Sequence, residues 1–195
     1  MYESRTDGEA IAVSLVEPRA FGLIYERHFR GIHGYLRRRF DDGIADELTA
    51  QTFLVAFDNR ARFDQERPDA RPWLFGIATN LAHRHRRGEI RELRAMATMT
   101  PERGAPIEGV EARVDAERLR GTLARSLADL PAEEADVLRL LVWAELDQRE
   151  IADALAIPLG TVKSRLSRAR RRLQDALGLD PTADRPTSRP GSSRR

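Results

Sequence analysis

The chain has 195 residues, of which 41% are hydrophobic, 33% are charged and 6% are aromatic. This composition predicts one domain or two small ones, and it excludes collagen-like and wholly disordered classes. There is no cysteine, which excludes a disulfide scaffold, a cysteine-ligated zinc site and a cysteine nucleophile. The apolar stretch near residues 11–16 is far too short to span a membrane, so we expect a cytoplasmic protein.

The formal net charge is only +2, but the basic residues are unevenly distributed. Residues 161–177 carry a net charge of +5, whereas residues 1–160 sum to −5. Lys163 is the one lysine in the chain, and the other 32 of the 33 basic residues are arginine. A mildly acidic body with one strongly basic helix indicates contact with a polyanion at one end of the molecule.

The first half of the chain shows the periodicity of helices. Residues 1–17 have no clear pattern, and we expect a loose N-terminus there. One helix face then follows, with large apolar residues three or four apart at Phe21, Tyr25, Phe29, Ile32 and Leu36. A second helix is predicted from Ile44 to Asp58, and its two apolar sides indicate that it lies between other helices. A third helix starts at Pro72, a favourable first-turn residue, and residues 18–94 thus predict one helical domain.

The second half begins with a change in composition. Residues 95–111 contain prolines and glycines and little apolar periodicity, which is typical of a linker. Residues 112–178 are again helical and predict a second small domain. Residues 179–195 are rich in proline, serine and arginine, and we expect a disordered basic tail. No strand pattern occurs, so the predicted fold class is all-α, with two small helical domains joined by a flexible linker.

The second domain contains a helix-turn-helix pattern. Asp147 and Glu150 have the spacing of a capping box, in which each residue satisfies a backbone N–H of the other. The helix that they start is short and stops at residues 156–160, after which Thr161 is expected to cap the next helix. In a helix-turn-helix the second helix enters the major groove of DNA, and its first residues meet base edges.

Helical phases of about 100° per residue sort the side chains of that second helix. The apolar stripe expected to pack inward consists of Val162, Leu166, Ala169 and Leu173. The residues expected to face away are Lys163, Ser164, Ser167, Arg168 and Arg171, flanked by Arg165, Arg170 and Arg172. Hydroxyls and long donors in the first turns suit base edges, and flanking arginines suit phosphates. A solvated basic face is the alternative, but the cap, turn and stripe in register favour DNA binding.

The third helix of the first domain offers a second nucleic-acid surface. Its C-terminal part carries Asn80, His83, Arg84, Arg86 and Arg87. Cations beside amides and aromatic rings suit unpaired bases, because stacking tolerates any sequence. Trp73 is in phase with the apolar residues of this helix, and we expect it to be part of the core. His83 and His85 have a spacing that metal ligands use, but a third ligand is not evident, so no metal or cofactor is predicted.

Several short motifs resemble those of a known family. They occupy residues 45–53 (ADELTAQTF), 72–81 (PWLFGIATNL), 130–131 (LP), 150–152 (EIA) and 160–170 (GTVKSRLSRAR). In this order, and with this linker, they resemble the extracytoplasmic-function (ECF) branch of bacterial RNA polymerase sigma factors. The resemblance spans about residues 19–177 and lacks only the linker.

The resemblance implies a dissociable sigma factor that directs core RNA polymerase to promoters, helps to open them and has no catalysis of its own. It implies that Asp46, Glu47 and Gln51 bind the clamp helices of the polymerase. The melted minus-ten strand would be held by Asn80, His83, Arg84, Arg86 and Arg87. The last domain would read the minus-thirty-five element through Thr161, Lys163, Ser164, Arg165, Ser167, Arg168 and Arg171. An anti-sigma factor is an optional further partner.

The chain departs from the family pattern at a few of these positions. The family often has Glu-Asp where this chain has Asp46 and Glu47, and an acidic residue where Gln51 stands. Arg84 stands where an aspartate is common, and Gln148 stands where an aromatic residue is common.

Two other classes of function are compatible with parts of the sequence. A stand-alone helix-turn-helix regulator would use only the C-terminal motif, with the first domain sensing a ligand or forming a dimer. An adaptor would use its basic helix to bind an acidic protein and would show no DNA sequence preference. A nucleotide-hydrolysing enzyme is disfavoured, because the Gly-x-x-x-x-Gly-Lys-Ser/Thr loop is absent.

Overall fold

The computed structural model describes residues 5–97, 126–127 and 129–178, and all regular structure within them is helical. Seven α-helices have defined bounds there: α1 Asp7–Ser14, α2 Gly22–Arg37, α3 Asp42–Asn59, α4 Arg71–Ala97, α5 Ala132–Trp143, α6 Gln148–Leu155 and α7 Leu159–Leu177. The predicted all-α class is confirmed. The predicted linker lies outside the described residues except for 95–97, which belong to α4, and the predicted tail lies outside them entirely.

The N-terminal segment is helical where we expected a loose lead-in. Thr6 and Glu9 form a capping box, with the Glu9 N–H donating to Thr6 Oγ1 at 3.2 Å and the Thr6 N–H donating to Glu9 Oε2 at 2.7 Å. Ile11 is fully buried against the first-domain core. The expectation of a loose N-terminus is therefore wrong for residues 7–14, because a cap and a few buried side chains hold a helix too short to show clear periodicity.

Asp7 ties α1 to two other helices. Its carboxylate accepts hydrogen bonds from Arg27 Nη1 at 2.9 Å and from the Ala70 N–H at 2.9 Å, and it lies 2.6 Å from His28 Nε2. Burial alone would raise the pKa of Asp7, but these hydrogen bonds and the charge of His28 outweigh it and lower the pKa to about 2. The ionised carboxylate is thus a fixed anchor between α1, α2 and the start of α4.

Helix α3 lies between α2 and α4, as its two apolar sides predict. It begins at Asp42, two residues before the predicted start, because Asp41 accepts a hydrogen bond from the Ile44 N–H at 3.0 Å and acts as the N-cap. Trp73 in α4 is partly buried against this core, and its ring lies 4.9 Å from that of Phe63. The prediction that Trp73 is a core residue is confirmed.

The C-terminal helices form a second layer that contacts the first. Helix α5 packs on α7 around Leu130, Ala135 and Ala169, and α6 packs on both α5 and α7. The outer side of α6 lies against α4, so a continuous apolar core runs from Leu74 to Ile151. The two groups of helices therefore meet directly at α4 and α6 in this structure.

Candidate DNA and polymerase interfaces

The capping box at the start of α6 forms as predicted. Asp147 Oδ1 accepts hydrogen bonds from the Arg149 N–H at 2.7 Å and the Glu150 N–H at 2.9 Å. Glu150 Oε2 accepts one from the Asp147 N–H at 2.6 Å. These hydrogen bonds satisfy backbone N–H groups of the first turn that have no acceptor within the helix. The first helix of the helix-turn-helix therefore begins at a defined residue.

The turn between α6 and α7 differs from the predicted cap. Ala156 adopts a left-handed conformation with φ of 51°, which ends α6. Helix α7 then begins at Leu159, with Pro158 at the N-cap and no side-chain cap, so the predicted capping role of Thr161 is wrong. The reason is that the Pro158 carbonyl already accepts a hydrogen bond from the Thr161 N–H at 2.8 Å, which places Thr161 inside the first turn.

The inward stripe of α7 is confirmed. Val162, Leu166 and Ala169 are buried, and Leu173 packs against the cluster around Leu130. The opposite face is exposed and carries Lys163, Ser164, Ser167 and Arg171, with Arg170 exposed on the flank. This face presents hydroxyls and cations together in the first turns of the helix, as recognition of base edges requires.

Three arginine side chains of α7 form ion pairs with glutamates of α5. Arg168 Nε lies 3.0 Å from Glu134 Oε1, and Arg172 Nε lies 3.1 Å from Glu134 Oε2. Arg165 pairs with Glu133. The prediction grouped Arg168 with the outward face, whereas in the structure its side chain pairs with Glu134 of α5.

Sequence reasoning missed the acidic partners of these arginines. Glu133 and Glu134 lie in the first turn of α5, and Glu134 is only 5% exposed. An available signal was the acidic pair directly after Leu130 and Pro131, since acids favour the first turn of a helix. That signal does not reveal which cations the acids meet.

The predicted minus-ten residues divide between two sides of α4. Asn80, Arg84 and Arg87 are exposed and four or three residues apart, so they share one helix face. His83 is half-buried and pairs with Asp136 of α5. Arg86 lines a cavity with Arg139, also on the side of α5. The structure therefore keeps three of the five predicted residues together.

His83 and His85 do not converge on one point. His83 faces α5 through its pair with Asp136, while the ring of His85 meets the edge of Phe40 at 5.4 Å. Residues two apart on a helix lie about 200° apart, so the two side chains point to different sides.

The predicted polymerase face lies on α3. Asp46 and Glu47 are exposed, and Gln51 Nε2 donates a hydrogen bond to Glu47 Oε1 at 2.8 Å. Leu54 continues the same stripe and is 61% exposed. Our sequence reasoning missed this exposed leucine. The available signal was its spacing, three residues after Gln51 on the polar side of the helix.

Comparisons with known protein families match both halves of this arrangement. Residues 24–92 match Sigma-70 region 2, and residues 120–173 match Sigma-70, region 4. Together these two regions define a bacterial sigma factor. The chain belongs to the ECF family of RNA polymerase sigma factors, and it directs RNA polymerase to promoters.

Curated relatives support this membership. The ECF RNA polymerase sigma factor SigC of Mycobacterium tuberculosis is 31% identical over an alignment that covers 94% of this chain and 98% of that protein. The ECF RNA polymerase sigma factor RpoE of Cereibacter sphaeroides is 29% identical, with 87% of this chain and 94% of that protein covered.

Solved structures share the fold. The structure of CnrH in complex with the cytosolic domain of CnrY has a TM-score of 0.62 and 25% identity, and the match covers 89% of this chain and 98% of that chain. The sigma factor RpoE in complex with the anti-sigma factor NepR from Bartonella quintana has a TM-score of 0.60 and 22% identity, covering 83% of this chain and 99% of that chain. Among the helices with described bounds, none is long and apolar enough to cross a membrane.

Proposed function

We propose that two exposed faces divide promoter recognition between them. The outer face of α7, with Lys163, Ser164 and Ser167, reads base edges of the minus-thirty-five element. The face of α4 that carries Asn80 and Arg84 holds the opened minus-ten strand. The observation that carries the proposal is the set of polar and basic side chains left exposed on each helix, opposite a buried apolar stripe.

Arg165, Arg168 and Arg172 act as phosphate contacts in this proposal. They lie on one flank of α7, and each is paired with a glutamate of α5. The Glu133 carboxylate is exposed, so its pair with Arg165 contributes at most about 1 kcal/mol, whereas Glu134 is buried and a DNA phosphate has to compensate for the arginine contacts that it loses. Thr161 lies in the first turn of α7 and is the remaining residue proposed to contact the minus-thirty-five element.

The proposed polymerase contact is the stripe of α3 with Asp46, Glu47, Gln51 and Leu54. The Leu54 side chain is exposed to water in the free chain and would be buried against the polymerase. The acidic side chains provide charge complementarity to a basic partner. The chain has no catalytic role in this proposal, since the polymerase performs the chemistry, and it acts in the cytoplasm. An anti-sigma factor is a further proposed partner, because the neighbouring RpoE structure contains one.

Run-off transcription tests this function. Purified core polymerase with the full chain is expected to give discrete transcripts from genomic fragments, and core polymerase alone gives none. A stand-alone regulator would instead shift duplex DNA with high specificity and leave transcription by the core enzyme unchanged, which would overturn the proposal.

We also propose that the chain is divided into the two domains expected from its sequence, at 18–94 and 112–178, with α1 as an addition to the first. The support is the change in composition at residues 95–111 and the two separate family matches. Limited proteolysis is expected to cut first within 95–111. Cleavage inside either domain before that segment would contradict the division.

A further inference from the structure

We propose that a cavity at the C-terminal end of α2 binds an amphipathic anion, a small molecule with a carboxylate or phosphate head and an aliphatic tail. The cavity lies between the residues that follow α2, the start of α3, the middle of α4 and one side of α5. Its volume is about 730 Å³, which is within the range of pockets that hold small molecules. The site is separate from the exposed faces proposed above for DNA and polymerase.

Four arginines give the cavity a positive lining. Arg38 and Arg39 directly follow α2, Arg86 comes from α4 and Arg139 comes from α5. The Arg39 side chain is only 5% exposed and the Arg139 side chain only 16%, so two of the four charges are largely removed from water. Guanidinium groups that converge from three parts of the chain are suited to bind a carboxylate or a phosphate with several charged hydrogen bonds.

The carboxylates of the described residues do not balance these four charges. Asp136 Oδ1 lies 3.6 Å from Arg39 Nη2 and 3.3 Å from Arg139 Nη1, so one carboxylate is shared by two arginines. Asp41 is the one acidic side chain among the described residues that line the cavity, and it is already engaged as the N-cap of α3. Positive charge is therefore in excess here, and a bound anion would neutralise it.

The arginines are also close enough to one another to repel. Burial lowers the pKa of Arg139, and the charges of Arg39 and Arg86 lower it further, whereas Asp136 opposes this shift. Like charges gathered in a partly buried space destabilise one another, and an opposite charge placed among them reverses the effect. The cavity thus has an electrostatic preference for an anion that is independent of its shape.

A second part of the lining is aliphatic. Its side chains come from α3, α5, α7 and the residues before α5, namely Ile44, Leu127, Leu138, Val142 and Leu173. Val142 is 59% exposed, so this wall of the cavity is in contact with water in the free chain. An alkyl tail placed against these side chains would be removed from water together with them, which favours binding.

The aromatic rings of the lining are already in contact with arginines. The guanidinium carbons of Arg38 and Arg139 each lie 5.9 Å from the centroid of the Trp143 ring. That of Arg39 lies 5.8 Å from the centroid of the Phe40 ring. Because cations occupy positions over both rings, the apolar surface left for a ligand is mainly aliphatic. This favours an alkyl tail over the flat base of a nucleotide.

Isothermal titration calorimetry on the full chain tests the site with two probes, dodecyl phosphate and dodecanoate, each below its critical micelle concentration. At least one of them is expected to bind with a stoichiometry of one per chain. Inorganic phosphate supplies the head alone and dodecanol the tail alone, and each should bind at least about tenfold more weakly. Failure of both anions to bind would overturn the proposal. Equal affinity for dodecanol would also overturn it, because the arginines would then contribute nothing.

Substitutions of two exposed arginines test the head of the ligand. Arg38→Gln and Arg86→Gln each remove one charge from the lining, and each should weaken binding of the anion about tenfold. Arg30→Gln is the matched control, since Arg30 is exposed on α2 and does not line the cavity. Circular dichroism shows whether each variant keeps its helices. Affinities of folded Arg38→Gln and Arg86→Gln equal to that of Arg30→Gln would overturn the anion site.

Val142→Asp tests the tail. Its side chain is exposed enough for the chain to fold with an aspartate there, but the added charge faces both the alkyl tail and the anionic head. Binding should weaken at least about tenfold, whereas Val16→Asp, at a residue 91% exposed and outside the lining, should bind as wild type does. A ligand that binds the folded chain should also raise the melting temperature of wild type and of Val16→Asp. Equal binding by Val142→Asp and Val16→Asp would overturn the proposed position of the tail.

Discussion

Arg168 donates its Nε–H to Glu134 Oε1 at 3.0 Å, so an arginine assigned to DNA recognition is held by a carboxylate from a neighbouring helix. The same carboxylate lies 3.1 Å from Arg172 through its other oxygen. One glutamate therefore neutralises part of the basic flank of α7 and also fixes the direction in which two arginines point. This arrangement makes Glu134 a competitor of DNA phosphates for both arginines.

Glu134→Gln is expected to tighten promoter binding by the holoenzyme about equally on all sequences. The substitution releases Arg168 and Arg172 for phosphates, so the slope of log affinity against log salt should become steeper by up to about one unit. Filter binding across a salt series measures both quantities. Glu145→Gln makes the same charge change at an exposed residue beyond the end of α5 and should leave the slope unchanged. An unchanged or flatter slope for Glu134→Gln would contradict this competition.

Lys163→Ala and Arg172→Ala are expected to change promoter binding in two different ways. Lys163 is on the exposed face in the first turns of α7, so its loss should reduce discrimination at one base pair by about 1–3 kcal/mol. Arg172 is on the α5 side, and its loss should weaken binding evenly and lower the salt slope by about one unit. Holoenzyme binding to single-base variants of a promoter separates the two effects. Loss of discrimination with Arg172→Ala alone would show that the reading face is misassigned.

Leu54→Ser should weaken binding to core polymerase and leave the thermal stability of the free chain within about 0.5 kcal/mol of wild type. The side chain is 61% exposed, so folding gains little from it, whereas a partner would bury it. Pull-down of core enzyme measures binding, and thermal melting measures stability. Val16→Ser is the control, because Val16 is 91% exposed but lies away from α3 in sequence. Unchanged pull-down with Leu54→Ser would remove Leu54 from the polymerase surface.

Asp7 is expected to make stability pH-dependent in the acid range. Its pKa is lowered from 3.8 to about 2 in the folded chain, so the unfolded chain binds the proton more readily. Its contribution of about 2 kcal/mol is therefore complete above about pH 4 and is lost as the pH falls toward 2. Denaturant unfolding of wild type and Asp7→Asn at several pH values measures it. The difference between them should shrink as the pH falls, and a difference that stays constant would contradict the assignment.

The chain's local features were predictable from its sequence. The capping box of Asp147 and Glu150, the buried stripe of α7 and the burial of Trp73 all depend on residues a few positions apart. Spacing and hydrogen-bonding groups act over such distances without knowledge of the rest of the fold. The same reasoning identified the exposed face with Lys163 and Ser167 and the family to which the chain belongs.

The relationships between distant residues were decided only by tertiary structure. Nothing in the spacing of α7 indicates that Glu134 captures Arg168, and nothing in α4 indicates that Gly76 meets Ala154. Such partners depend on the angle and depth at which helices pack, because a shift of one helical residue turns a side chain by about 100°. The fold of α1 was also missed, since its position depends on Asp7 meeting Arg27 and Ala70 across the core. Sequence determined which faces are apolar and which are basic, and packing determined what each of them touches.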